Sequence, residues 1–328
     1  MEFQPVEAPK QSYAHAVADA LAGSVSGLAL GRLASLAAWI AAVQGKDVPG
    51  PFVRPRAVVV AGNHGVAARG LSAWAADAGA TQAEELRAGG GPAHAAARLA
   101  GASLRFVDDY LDAPTGAIDV EPAISPEVWE AALAAGAEAA DSEIDSGADL
   151  IIPGDIGVGN TTVVAAVYGT FTRTEPVKAI GRGSGINDNV WKVKAAAVRD
   201  AMFRVRGFRD DTKRVCAELT GPDFAFLVGL INRAAARRTP VLIGEAYPAT
   251  AAYVAERLAP GVKAWLIAGQ VTAEPAHVGW LEALDLKPVL ALDMKTGQGA
   301  GALAALPQLN LAAELAGEVL AEGSSRSV

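Results

Sequence analysis

The sequence contains a single cysteine, Cys216, in 328 residues, so no internal disulfide can form and no thiolate cluster can hold a metal. This fits a reducing, cytoplasmic setting, with Cys216 as a small core residue rather than a nucleophile. Positive charge is also scarce. Twenty-eight Lys and Arg stand against 36 Asp and Glu, for a formal charge of -8, which leaves no basic field to hold a nucleic acid backbone. There are four histidines, and His64 and His277 do not form an H-x-x-x-H pair, so no zinc site is expected. The chain lacks a G-x-S-x-G elbow. It also lacks the eight-residue nucleotide loop ending in Gly-Lys-Ser/Thr and a clean dinucleotide fingerprint after its first strand, which argues against a dehydrogenase. No repeat of 20 to 50 residues and no low-complexity linker occurs. The opening residues lack the basic-then-apolar order of a secretory signal. The apolar stretch 24–43 contains Arg32 and many alanines, and it reads as a core or interface helix rather than a membrane span.

What is present is an ordinary globular composition, 51% hydrophobic and 20% charged, long enough for two folding units or one large α/β unit with an appendage. Short β-branched runs recur at 57–60, 104–107, 150–152, 177–180, 241–243, 264–268 and 289–292. Helix-period segments fill the gaps, near 82–100, 126–140, 161–169, 188–204, 222–238, 248–258, 277–284 and 300–320. That alternation predicts an α/β fold: a mostly parallel, Rossmann-like sheet with helices on both faces. The last six residues read as a frayed tail.

Five of the predicted strands end in glycine and a polar residue: Gly62-Asn63-His64, Gly154-Asp155, Gly181-Arg182, Gly244-Glu245 and Gly269-Gln270. Carboxyl ends of parallel strands line the ligand crevice, so these tips are expected to converge. Two tips say more. Gly154 to Thr162 follows a strand and opens a helix, with Asn160 or Thr161 placed to cap it. Gly181-Arg182-Gly183-Ser184-Gly185 repeats the pattern, with Lys192 and Lys194 on the helix that follows. Glycine-exposed N–H groups at helix starts favour anions, so the pair predicts a phosphorylated ligand.

Taken in order, Ala61 to Ala67, Gly70 to Trp74, Gly89-Gly90-Gly91, Gly154 to Thr162, Gly181 to Gly185 with Asn187-Asp188, Ala273 to His277 and Gly297 to Ala302 resemble the nicotinate-nucleotide:dimethylbenzimidazole phosphoribosyltransferase family. The resemblance covers residues 20 to 320. It implies a Rossmann-like domain over 51–300, a small helical domain built from 1–50 and a C-terminal helix within 301–328, and a homodimer. It implies phosphoribosyl transfer from nicotinate mononucleotide, or a related nucleotide, to an aromatic acceptor, without metal or cofactor, as in making the lower-ligand nucleotide of cobalamin. Carried over by position, Gly157, Gly159, Asn160, Thr161, Thr162, Gly181, Arg182, Gly183, Ser184, Gly185 and Lys194 would hold the nucleotide's phosphate and ribose. Asn63, His64, Ser72 and Gln298 would face the acceptor.

The same resemblance exposes departures. The family's catalytic glutamate, in G-E-G-T-G, reads Gln298, and an amide cannot take a proton as a base. Its Asp-His-Gly reads Asn63-His64-Gly65, its glutamate before the I-G-N-T-T block reads Asp155, and its Ser-His pair reads Gly269-Gln270. The residues leave two readings open. In one the protein is an active transferase with an azole, purine or phenol acceptor, and Asp155 or Glu245 replaces the missing base. In the other it is a weak nucleotide-binding homologue or the partner subunit of an active paralogue.

Overall fold

Valine and isoleucine runs flanked by Ala-rich helices produce a sheet buried on both faces, as parallel sheets require. The computed structural model describes residues 2–325. Its sheet has five parallel strands in the order β2-β1-β3-β4-β5, with β1 Pro55–Gly62, β2 Ser103–Tyr110, β3 Leu150–Ile156, β4 Val241–Ile243 and β5 Leu266–Ala268. Val58, Val59, Val60, Ile151 and Ile152 are fully buried. β1 pairs with β2 on one side and with β3 on the other, Val59 opposite Gly154 and Val60 opposite Asp155. The chain therefore reverses its direction of growth between β1 and β3, the position where open α/β sheets form a crevice.

Two expected strands are not strands. Residues 177–180 fall in the one-turn helix Pro176–Ala179 and its cap, because Pro176 occupies the first helical position, where its fixed φ suits a helix start. Residues 289–292 run along β5 but contribute a single bridge, Leu290 to Gln270, and Leu292 points half into solvent. The helix expected over 82–100 is two helices, Ala78–Arg87 and Gly91–Ala100, separated by a turn in which Gly89 and Gly91 both have φ of 78°. Helix Gln11–Ala22 lies in the segment 1–50 expected to be helical, whereas helix Thr212–Leu219 matches no expected element. The apolar stretch 24–43 is broken at Gly31 (φ 55°) into Val25–Ala29 and Arg32–Gln44.

Leu36, Ala37, Ile40 and Ala41 are buried. Part of this face packs with Val17, Leu21 and Ala316, so helices 11–22, 32–44 and the C-terminal helix Ala300–Ser325 share a separate small core. The first residues go elsewhere: Val6 N–H donates to the Pro260 carbonyl and Glu7 pairs with Arg238. Of the frayed tail expected over 323–328, residues 323–325 instead continue the C-terminal helix, which runs to Ser325; residues 326–328 lie outside the described residues. Among the described residues no helix is long and apolar enough to cross a membrane.

Candidate active site

A cavity of about 260 Å³ opens at the carboxyl ends of β3 and β4. Its walls include Asp155 to Thr161 at and after the end of β3, Gly183 and Ser184, Glu245 to Tyr247 after β4, Glu274, the segment Met294 to Gln298, and Ser72, Gln82 and Glu85. The two glycine-rich loops thus meet at one cavity. Gly159, with φ 93°, turns the chain into helix Asn160–Thr172, and Lys194 Nζ donates to Thr161 Oγ1 at 2.8 Å. Gly183 N–H donates to Glu274 Oε1 at 2.6 Å. Lys194 is buried, which pulls its ammonium below the usual lysine range, while the charge of Glu274 opposes that shift. Lys194 therefore braces the loops from behind.

Asp155 and Glu245 are the buried acids of the wall. Asp155 Oδ2 accepts from Asn160 Nδ2 at 2.5 Å, and Oδ1 has no hydrogen-bond partner. Burial raises its carboxyl to about 7 against the opposing Asn160 hydrogen bond, with Asp223 adding to the rise. Glu245 Oε1 accepts from Gly301 N–H at 2.8 Å while Oε2 is unpartnered, and burial, followed by the charge of Asp155, raises it to about 8. Raised acids hold their protons longer in the folded chain than in the unfolded one. Their contribution to stability is therefore complete below the ordinary carboxylate pKa and is lost as pH rises through about 7 and about 8. Thermal scans of the ligand-free protein should show the melting temperature falling over that interval. Glu245→Gln should flatten the fall, and an unchanged slope would show that Glu245 titrates normally.

The other expected site residues divide between wall and interior. Ser72 lines the cavity, and its Oγ lies 3.4 Å from Ser184 Oγ. Gly157, Gly159, Asn160, Thr161, Gly183 and Ser184 line it too. Thr162 is fully buried with its hydroxyl unpartnered, and Gly181 packs against Glu274. Gly185, with φ 100°, carries the turn after Ser184. Asn63, Arg182 and Gln270 do not wall the cavity. Asn63 Nδ2 donates to the Leu111 carbonyl, Arg182 pairs with exposed Asp188, and Gln270 is buried between the Gly244 and Met294 carbonyls. Gly181-Arg182 ends no strand, so the convergence of five tips reduces to Asp155 and Glu245. His64 lies behind Gly157, edge-on to Tyr247 at 5.6 Å and 3.5 Å from Asp223 Oδ2. His277 is buried against Thr272 and depressed to about 4 by burial.

Gln298 lines the cavity with its backbone in the left-handed region, φ 63°, between Gly297 at 66° and Gly299 at 71°. Its N–H donates to the Asp155 carbonyl at 2.9 Å, and its Oε1 accepts from Ala93 N–H at 3.3 Å. Several wall residues are not marked as site residues by the sequence, among them Gln82, Glu85, Tyr247 and Glu274. Glu274 carried the signal of an acid just before a helix-starting proline, Tyr247 follows the β4 tip by two residues, and Glu85 carried no signal at all.

A model of a family described as phosphoribosyltransferase matches residues 6–324. The chain belongs to this phosphoribosyltransferase family. Relatives named nicotinate-nucleotide–dimethylbenzimidazole phosphoribosyltransferase include one from Corynebacterium glutamicum strain R, 44% identical over 87% of this chain and 83% of its own. Another, from Corynebacterium efficiens, is 47% identical over 87% of this chain and 80% of its own, and one from Mycobacterium avium is 46% identical over 85% and 84%. The crystal structure of CobT from Thermus thermophilus superposes with a TM-score of 0.87 at 31% identity, covering 93% of this chain and 95% of that one. As a phosphoribosyltransferase, the protein must bind a phosphorylated pentose, which fits two glycine loops converging on one cavity.

Proposed function

We propose that the protein transfers the phosphoribosyl group of nicotinate mononucleotide to an aromatic azole of the dimethylbenzimidazole type. The observation that carries this reading is the meeting of the Gly157–Thr161 and Gly183–Ser184 segments at one cavity. The phosphate would lie between these loops, taking backbone N–H groups at the start of helix Asn160–Thr172, while Lys194 supplies positive charge from behind. Gln82, Glu85 and Gln298 would form the acceptor's wall.

The chemistry asks little of the protein at the leaving group. The pyridinium of the nucleotide takes the electron pair of the C1′–N bond and departs as a neutral ring, so positioning the acceptor nitrogen behind C1′ is the main task. Incubating the protein with nicotinate mononucleotide and a panel of benzimidazoles, purines and phenols tests the reading by release of free nicotinate. No release with any acceptor, while calorimetry shows nucleotide binding, would transfer the argument to the binding or partner-subunit reading.

A cytoplasmic homodimer, with the outer helices forming a small domain, is part of the same proposal. The helix Arg32–Gln44 gives weaker grounds for the dimer than its composition suggested, because the chain's own helices cover most of it. The support moves to Val25 and Leu28, 87% and 66% exposed on the preceding helix. Light scattering at micromolar concentration should give twice the mass of the chain, and a monomeric mass would end the dimer reading.

A further inference from the structure

The acceptor reaction leaves one proton to be placed. When the pyridine-type nitrogen of a neutral azole attacks C1′, the new C–N bond forms with that nitrogen's lone pair and the nicotinate ring keeps the pair of the bond that breaks. The azole becomes a cation, and its ring N–H must lose a proton for the product to be neutral. Gln298 cannot accept that proton. Its carbonyl oxygen accepts from Ala93 N–H, and as a neutral amide it can hydrogen-bond an acceptor ring without taking its proton. Asp155 and Glu245 each have one oxygen held, by Asn160 and by Gly301, and burial raises their carboxyls to about 7 and about 8, so much of each holds a proton near neutrality.

One further carboxylate lies beside Gln298. Glu85 stands in the last turn of helix Ala78–Arg87, on the cavity wall. The turn Gly89-Gly90-Gly91 folds its side chain toward Gln298: a Cβ placed on Gly91 would lie 3.2 Å from Gln298 Oε1 and 3.5 Å from Glu85 Oε2. The ends of the two side chains thus both lie within van der Waals reach of one point, which the absence of a Cβ at Gly91 leaves clear. Among the described residues no hydrogen bond or ion pair occupies the Glu85 carboxylate, whereas its neighbour Arg87 is engaged with Asp108. Glu85 is exposed, so a proton it takes can pass directly to solvent.

We propose, resting on the transferase reading above, that Glu85 is the base that removes the acceptor's ring proton, with Gln298 as the neutral group that orients the ring beside it. The proton moves from the azole N–H to Glu85 Oε2 as the C1′–N bond forms, and then to water. Nothing is oxidised or reduced.

The test measures nicotinate release from nicotinate mononucleotide with dimethylbenzimidazole, together with calorimetric affinity for the nucleotide alone. Glu85→Gln should lower kcat by roughly 10²- to 10⁴-fold, the range of general-base catalysis, with nucleotide affinity unchanged. Adding Gln298→Glu to Glu85→Gln should recover about tenfold or more of the rate, since the new carboxylate would sit by the same gap and by the first N–H groups of helix Gly91–Ala100. Glu85→Gln turning over within a few-fold of wild type would overturn the proposal. So would a fall in kcat matched by an equal fall in nucleotide affinity, which would make Glu85 a structural residue. If wild type releases no nicotinate with any acceptor, the transferase reading itself fails and takes this proposal with it; an active wild type with an indifferent Glu85 removes the base alone.

Discussion

Gly154→Ala should lower kcat/KM for nicotinate release by about 100-fold while leaving a folded protein. The residue sits on β3, where a Cβ would lie 2.5 Å from the carbonyl carbon of Gln298 and 2.5 Å from the nitrogen of Gly299. Those are backbone atoms, so no side-chain rotation can relieve the clash. The strand is buried on both faces and fixed in register against β1, which leaves the loop 297–299 as the part that yields. That loop is already demanding. Three successive residues hold left-handed backbone, and the one with a side chain, Gln298, does so at a typical cost of about 1–2 kcal/mol. The Gln298 N–H bond to the Asp155 carbonyl helps to hold it there. Pushed off the strand, Gln298 would lose its place beside Glu85, and a misplacement of about 1 Å at a reacting group can cost about 10²-fold. The accompanying overpacking should cost about 1–3 kcal/mol of stability, visible as a lower melting temperature. Wild-type kcat/KM in the folded variant would mean that the loop's position does not matter to transfer.

Lys194→Met should weaken binding of nicotinate mononucleotide about ten- to hundredfold. Methionine keeps most of the length and apolar volume of the stem but removes the ammonium, and a hydrogen bond to a charged group contributes about 1.5–3 kcal/mol. Lys194 is nearly inaccessible, at 1% exposure, so water cannot replace the lost charge. Its Nζ also joins Thr161 to the neighbourhood of Gly183, since a Cβ on Gly183 would lie 3.6 Å from Nζ and 3.2 Å from Thr161 Oγ1. Removing the ammonium therefore takes away both an attraction for phosphate and the brace between the loops. Calorimetric titration of the nucleotide checks the effect. Unchanged affinity would place the phosphate away from these loops.

The sequence by itself determined the sheet's central strands, the α/β class and the two glycine loops. Each of these is written locally: Val58-Val59-Val60 and Ile151-Ile152 are too continuously apolar for a half-exposed strand, and Gly159 and Gly183 are needed where the backbone turns left-handed. The family resemblance rests on the same local blocks. It also directed attention to Gln298 and to the question of which acid does its work. Local reading misled where a short run had two outcomes. Val177 to Ile180 is as apolar as an edge strand, but Pro176 made it a helix turn.

Only the tertiary structure decided which polar residues face the cavity. Asn63, Arg182 and Gln270 look equivalent to Asp155 and Glu245 in sequence, yet Asn63 and Gln270 find partners in the Leu111 and Gly244 carbonyls, brought near by the fold, and Arg182 turns to Asp188 on the next helix. Glu85 is the reverse case. An acid in a charged, exposed helix turn carries no mark of function in the sequence. It meets Gln298, more than 200 residues away, because a glycine turn and the crossing of the loop 297–299 over β3 bring the two side chains to one gap. Side-chain chemistry is fixed residue by residue, but the environment that selects a base from among four cavity carboxylates, Glu85, Asp155, Glu245 and Glu274, is assembled from distant segments.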